Sequence, residues 1–146
     1  METNIKGKHI LGRAVVVGNA VVVGNAFVSG YARVAGRAFV AGNAIVRGEA
    51  VVSGKATVSG DALVVENAEV GGNARVAGKA IVAGNARVTG NAIVAGRAVV
   101  SDNAIVSGNA RIGGDAVILG GKWDGSEGKI LSGRWIAPGV PEEEAE

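Results

Sequence analysis

The sequence predicts an all-β chain, a single parallel β-solenoid built from six-residue repeats. Eighteen consecutive hexads, from Ala14 to Ala116, carry Ala in the same position. The residue two places after each Ala is Val or Ile. The residue four places after it is Gly, except at Glu66 and Asp102. A period this regular is typical of repeat architectures, in which each unit stacks on its neighbours.

The period of six fixes what each position does. Ala and Val are two residues apart, so they point to the same side of an extended segment, and the residue between them points to the other side. Gly and the Asn that often follows it tolerate the left-handed backbone of tight corners. Each hexad is therefore predicted to be a short strand and a corner, with Ala and Val inside and successive coils pairing as parallel strands.

The composition agrees with a narrow interior. The 146 residues, a length that suits one domain, include 25 Gly but only two Phe, two Trp and one Tyr. The absence of Cys excludes disulfides and thiolate metal sites, and the single His excludes a multi-histidine metal site within one chain. We therefore predict no metal and no cofactor.

Two tracts carry a resemblance to a known family. Residues 73–78, Asn-Ala-Arg-Val-Ala-Gly, and residues 85–90, Asn-Ala-Arg-Val-Thr-Gly, resemble the hexapeptide repeats of left-handed β-helix proteins. The resemblance covers residues 8–120. It implies a three-sided coil of about eighteen residues, about six coils, left-handed winding and a homotrimer. Near-perfect repeats of this kind are also similar to tracts in phage and bacterial accessory proteins.

The chain divides into four predicted segments. These are an N-terminal lead-in (1–7), the hexapeptide-repeat β-helix (8–120), a non-repeat C-terminal cap (121–137) and an acidic flexible tail (138–146). Trp123 and Trp135 are the candidate cap residues, because the open end of a solenoid has to be covered. No signal peptide or membrane-spanning stretch is evident, which favours a cytoplasmic location and no membrane partner.

Outward positions eighteen residues apart are expected to stack on one face. One of the three resulting ladders is apolar throughout: Phe27, Ile45, Leu63, Ile81, Val99 and Val117. A continuous exposed apolar stripe usually marks an interface, so we expect self-association through it. The alternative is that residues 121–137 fold back and cover the stripe.

Four arginines are candidates for binding an anion. Arg33 and Arg87 belong to one of the two other ladders, and Arg75 and Arg111 belong to the remaining one. Guanidinium groups suit phosphate, so these side chains could hold a small anionic ligand in grooves between protomers. The other interpretation is that they only keep the surface solvated.

The family resemblance also raises acyltransferase activity, which uses a His general base. Here His9 is the only His, it precedes the regular repeats, and no loop interrupts the hexads to form a pocket. We therefore predict no catalytic residue and no enzyme. Nucleic-acid binding is disfavoured because few aromatic residues accompany the basic ones. The leading hypothesis is a structural or protein-interaction scaffold, with ligand binding second and a His9 enzyme a weaker third.

Overall fold

The computed structural model describes residues 10–126, 128–138 and 140–141. These residues form three β-sheets around one narrow core, and they include no helix, hence none that could cross a membrane. The prediction of an all-β, three-sided parallel β-solenoid is confirmed. The lead-in 1–7, His9 and residues 142–146 of the predicted tail lie outside the described residues.

Each face of the solenoid is one sheet. The first comprises β1 Val15–Val16, β4 Arg33–Val34, β7 Val51–Val52, β10 Glu69–Val70, β13 Arg87–Val88, β16 Ile105–Val106 and β19 Lys122–Trp123. The second comprises β2 Val21–Val22, β5 Phe39–Val40, β8 Thr57–Val58, β11 Arg75–Val76, β14 Ile93–Val94, β17 Arg111–Ile112 and β20 Lys129–Ile130. The third comprises β3 Phe27–Val28, β6 Ile45–Val46, β9 Leu63–Val64, β12 Ile81–Val82, β15 Val99–Val100, β18 Val117–Ile118, β21 Arg134–Ala137 and β22 Val140–Pro141.

The register follows directly from three hexads per turn. Each strand pairs in parallel with the strand one turn later, so that Val15 lies beside Arg33 and Val16 beside Val34. Residues eighteen positions apart therefore stack along the axis. The regular hexads make six turns, and the predicted cap segment adds a seventh with β19, β20 and β21.

The core is thin because small residues fill it. The Ala and Val positions of the hexads are buried from Val16 to Ile118, with only Ala14 partly exposed at the first turn. The corners turn sharply at glycine. Gly78, for example, has φ +67°, and a Cβ atom on it would lie 2.9 Å from the backbone N and O of Gly96 in the next turn. Glycine is needed here for both its left-handed conformation and this close approach.

The seventh turn closes the core with larger side chains. Trp123 lies beside Val106 in register and is 1% exposed, and its Nε1 donates a hydrogen bond to the Gly120 carbonyl at 2.7 Å. The ring of Trp135 meets that of Trp123 edge to face, with centroids 6.2 Å apart. The two candidate cap residues thus lie together at this end of the core. Nearby, the Ser126 amide donates to Asp124 Oδ1 at 3.0 Å, which lowers the pKa of that carboxyl.

Candidate interface on the third face

The third face carries a continuous row of apolar side chains. We call this row the apolar stripe: Phe27, Ile45, Leu63, Ile81, Val99 and Val117. Each member lies in register beside the next one along parallel strands. Phe27 is 40% exposed and the other five are half-buried between their neighbours. All six therefore present apolar surface to solvent on one side of the rod.

The chain's local geometry is what points these side chains outward. In each two-residue strand from β1 to β19 the second residue fills the core, so the first must face away from it. Leu63 is half-buried while Val64 is fully buried, and the same contrast separates Ile81 from Val82. The stripe ends at the seventh turn, where Arg134 lies beside Val117 in register.

The C-terminal segment does not cover the stripe. Its strands continue the stack instead: β19 pairs with β16, β20 with β17 and β21 with β18. β22 then pairs antiparallel with β21 and extends the same sheet. In the described residues the segment therefore lies on the end of the rod, and the alternative that it folds back over the third face is wrong.

A second outward row runs beside the stripe, and it contains one charged side chain. This row comprises Ser29, Arg47, Val65, Ala83, Ser101 and Leu119. Arg47 and Gly48 line a shallow depression of about 240 Å³ with Val65 and Glu66 of the next turn. Arg47 is not among the residues predicted from the sequence, although sorting the residue after each core Val into ladders of eighteen places it here.

Glu66 and Asp102 occupy corner positions that are glycine elsewhere. They are the non-glycine residues with positive φ in the described chain, at 62° and 60°. Glu66 Oε1 accepts a hydrogen bond from the Gly84 amide at 2.7 Å. The carboxylate thus links its corner to the backbone of the following turn.

The four candidate anion-binding arginines do not converge within one chain. Arg33 and Arg87 lie in the first sheet, three turns apart, while Arg75 and Arg111 lie in the second sheet, two turns apart. The Arg87 guanidinium is also 3.7 Å from the Glu69 carboxylate of the preceding turn. Binding of an anion between protomers therefore stays a prediction.

The corners carry ladders of side-chain amides rather than reactive groups. Asn67 donates to Asn85, which donates to Asn103, at 3.3 and 3.4 Å. A second ladder joins Asn73 to Asn91 at 3.2 Å. Such amide stacks link adjacent turns. Among the described residues no three His, Cys, Asp or Glu side chains are grouped to hold a metal ion.

No family model matches the chain, and neither the comparison with curated proteins nor the comparison with solved structures gives a match. The surface features of the solenoid are therefore the basis for inferring a function.

Proposed function

We propose that this protein is a non-enzymatic structural scaffold that self-associates through the apolar stripe. The stripe's uninterrupted run over six turns is the observation that carries the proposal. Burial of apolar surface contributes about 25 cal/mol per Å², so a partner that covers all six side chains gains a substantial free energy. The second and first faces mix charged and apolar residues at the corresponding positions.

Membership of the hexapeptide-repeat left-handed β-helix proteins, with left-handed winding, is part of the proposal. Its support is the Ala-x-Val-x-Gly-Asn repeat together with the three-sided parallel stack. The resemblance favours three rods packed side by side. A trimer is also the smallest closed ring that heterologous contacts between identical copies can form. The expected mass is three times that of the 14.4 kDa chain.

The test compares two lysine substitutions in the same structural position. Ile81 and Ile93 are both half-buried first residues of their strands. Ile81 lies between Leu63 and Val99 in the stripe, whereas Ile93 lies between Arg75 and Arg111 on the second face. Ile81→Lys should reduce the native mass to that of one chain, because a charge in an apolar interface is costly.

Ile93→Lys is the matched control and should keep the wild-type mass. Light scattering after size-exclusion chromatography gives the masses, and circular dichroism shows whether both variants keep the β-rich fold. A wild-type protein that is monomeric at micromolar concentration, or a folded Ile81→Lys variant that keeps the oligomeric mass, would show that the stripe is not an interface.

A further inference from the structure

Each turn of the solenoid lies one strand spacing further along the axis, so position in the sequence sets position along the rod. Charge is unevenly distributed along this axis. Residues 10–60 contain five basic residues and one acidic residue, and residues 61–120 contain five of each. Residues 121–146 contain three basic and six acidic residues. The protein is therefore positive at its N-terminal end and negative beyond its last regular turn.

Exposed large apolar side chains are also found at the two ends. In the described residues they are Leu11, Val15, Val23, Phe27, Tyr31, Phe39, Leu131, Ile136 and Val140. Between residues 40 and 130, the middle of the rod, the outward apolar side chains are half-buried instead, including five members of the apolar stripe. Each end thus combines apolar surface with net charge, which is positive at the N-terminal end and negative at the C-terminal end.

The basic end has a defined cluster on the corner between the third and first faces. We call it the N-terminal patch: Leu11, Arg13, Val15, Tyr31 and Arg33. The Arg13 guanidinium lies over the Tyr31 ring, 5.8 Å from its centroid, and Tyr31 is 60% exposed. Val15 and Arg33 are neighbours in register on the first face. The Arg13 guanidinium over an exposed aromatic ring, with Arg33 on the adjoining strand, suits an acidic peptide segment.

The chain itself contains such a segment, Glu142-Glu143-Glu144-Ala145-Glu146. It follows β22, which is seven strand spacings from β3 in the third sheet. That separation is about 34 Å, whereas the five residues after Pro141 reach about 18 Å when fully extended. The segment therefore cannot reach the patch of its own chain, nor that of a parallel neighbour at the same height.

We infer that residues 142–146 of one copy bind the N-terminal patch of a second copy, joining the rods head to tail. The contact pairs glutamates with Arg13 and Arg33, and it brings together the apolar groups exposed at the two ends. A head-to-tail contact does not close on itself, so it produces growing chains rather than one defined oligomer. This contact is separate from the lateral one proposed above and does not depend on it.

Sedimentation velocity of the full chain tests the contact at low and high salt. At about 0.01 M salt the Debye length is about 30 Å, and species at multiples of the basic unit should grow with protein concentration. At about 1 M salt the Debye length is about 3 Å, and only the basic unit should remain. Association through the apolar stripe sets the mass of the basic unit. A monomeric basic unit would contradict the lateral proposal alone, whereas the absence of multiples of that unit would contradict this inference alone.

Two charge-reversed variants make the test specific. One carries Arg13→Glu and Arg33→Glu, and the other carries Glu142→Lys, Glu143→Lys, Glu144→Lys and Glu146→Lys. Each alone should require about tenfold or more protein for growth, because attraction becomes repulsion. An equimolar mixture should grow again, since each variant then offers the end that the other needs. Lys55→Glu with Lys79→Glu is the matched control, because both side chains are exposed in the middle turns of the rod, and it should behave as wild type.

Three results would overturn the inference. The first is a wild-type protein without multiples at low salt. The second is a mixture of the reversed variants, both folded by circular dichroism, that fails to grow. The third is growth that stops at twice the basic unit, because a closed antiparallel pair would explain it instead.

Discussion

The carboxylate of Glu66 reaches one turn along the rod and accepts a hydrogen bond from the amide of Gly84 at 2.7 Å. Glu66 makes this contact from a left-handed backbone conformation, with φ 62°, at a corner that is glycine in most turns. A side chain at such a position costs about 1–2 kcal/mol. A charge-assisted hydrogen bond offsets part of that cost.

This balance predicts an order of stabilities at position 66. Glu66→Ala keeps the unfavourable conformation and loses the hydrogen bond, so it should be the least stable variant. Glu66→Gly removes the conformational cost and should exceed Glu66→Ala by about 1–2 kcal/mol in the free energy of unfolding. Urea denaturation measures the difference. Glu66→Gln, which keeps an acceptor, should lie above Glu66→Ala, and equal stability of the Ala and Gly variants would contradict this account.

Adjacent glycines provide a second and independent test of the corner geometry. Gly72 has φ +63°, and a Cβ atom there would lie 2.8 Å from the Gly90 amide nitrogen. Gly71 has no positive φ, and its nearest neighbour would be Ser53 Oγ at 3.5 Å, an ordinary contact. Gly72→Ala should therefore lower the free energy of unfolding by about 2 kcal/mol.

Gly71→Ala should instead be neutral or stabilise by about 0.4–1 kcal/mol, because it restricts the unfolded chain at a compatible site. Thermal unfolding of the two variants side by side gives the comparison. Equal losses in the free energy of unfolding for Gly71→Ala and Gly72→Ala would contradict the difference between the two backbone positions.

The regular turns could be predicted from the sequence because one rule repeats without interruption. Placing Ala and Val inside and sorting outward residues by eighteen correctly gives the register of Leu63 with Ile81 and the composition of the apolar stripe. A partner for the proposed interface could not be predicted to the same degree, since binding of a partner imposes no periodic pattern on the sequence of one chain.

The strands of the seventh turn could not be predicted from the six-residue period, because the corners between them differ in length from the regular ones. Trp123 pairs with Val106 only seventeen residues away, and Trp135 pairs with Ile118 at the same spacing. A strict period of eighteen puts Asp124 in the core position instead, which wrongly suggests that the stack stops. The short corners let bulky indole rings take core positions that Val or Ile fills in the regular turns.

Removal of Trp123 should loosen the C-terminal end while the central turns persist. The side chain is 1% exposed, packs against Trp135 and donates a hydrogen bond to the Gly120 carbonyl. Trp→Ala substitutions at buried sites cost about 3–5 kcal/mol, and stability in a solenoid is largely a sum of contacts between neighbouring turns. Hydrogen exchange should therefore show lost protection in β16 to β21 of Trp123→Ala, with β7 to β12 unchanged.

Trp123→Phe keeps a six-membered aromatic ring but removes the indole donor and part of the ring volume. Its loss of protection should therefore be smaller than that of Trp123→Ala, and it includes about 1 kcal/mol for the missing hydrogen bond. This expectation requires that each turn is stabilised mainly by its contacts with adjacent turns, and that the whole rod does not unfold as one cooperative unit. Uniform loss of protection along the whole rod in Trp123→Ala would show instead that the end of the core controls the stability of every turn.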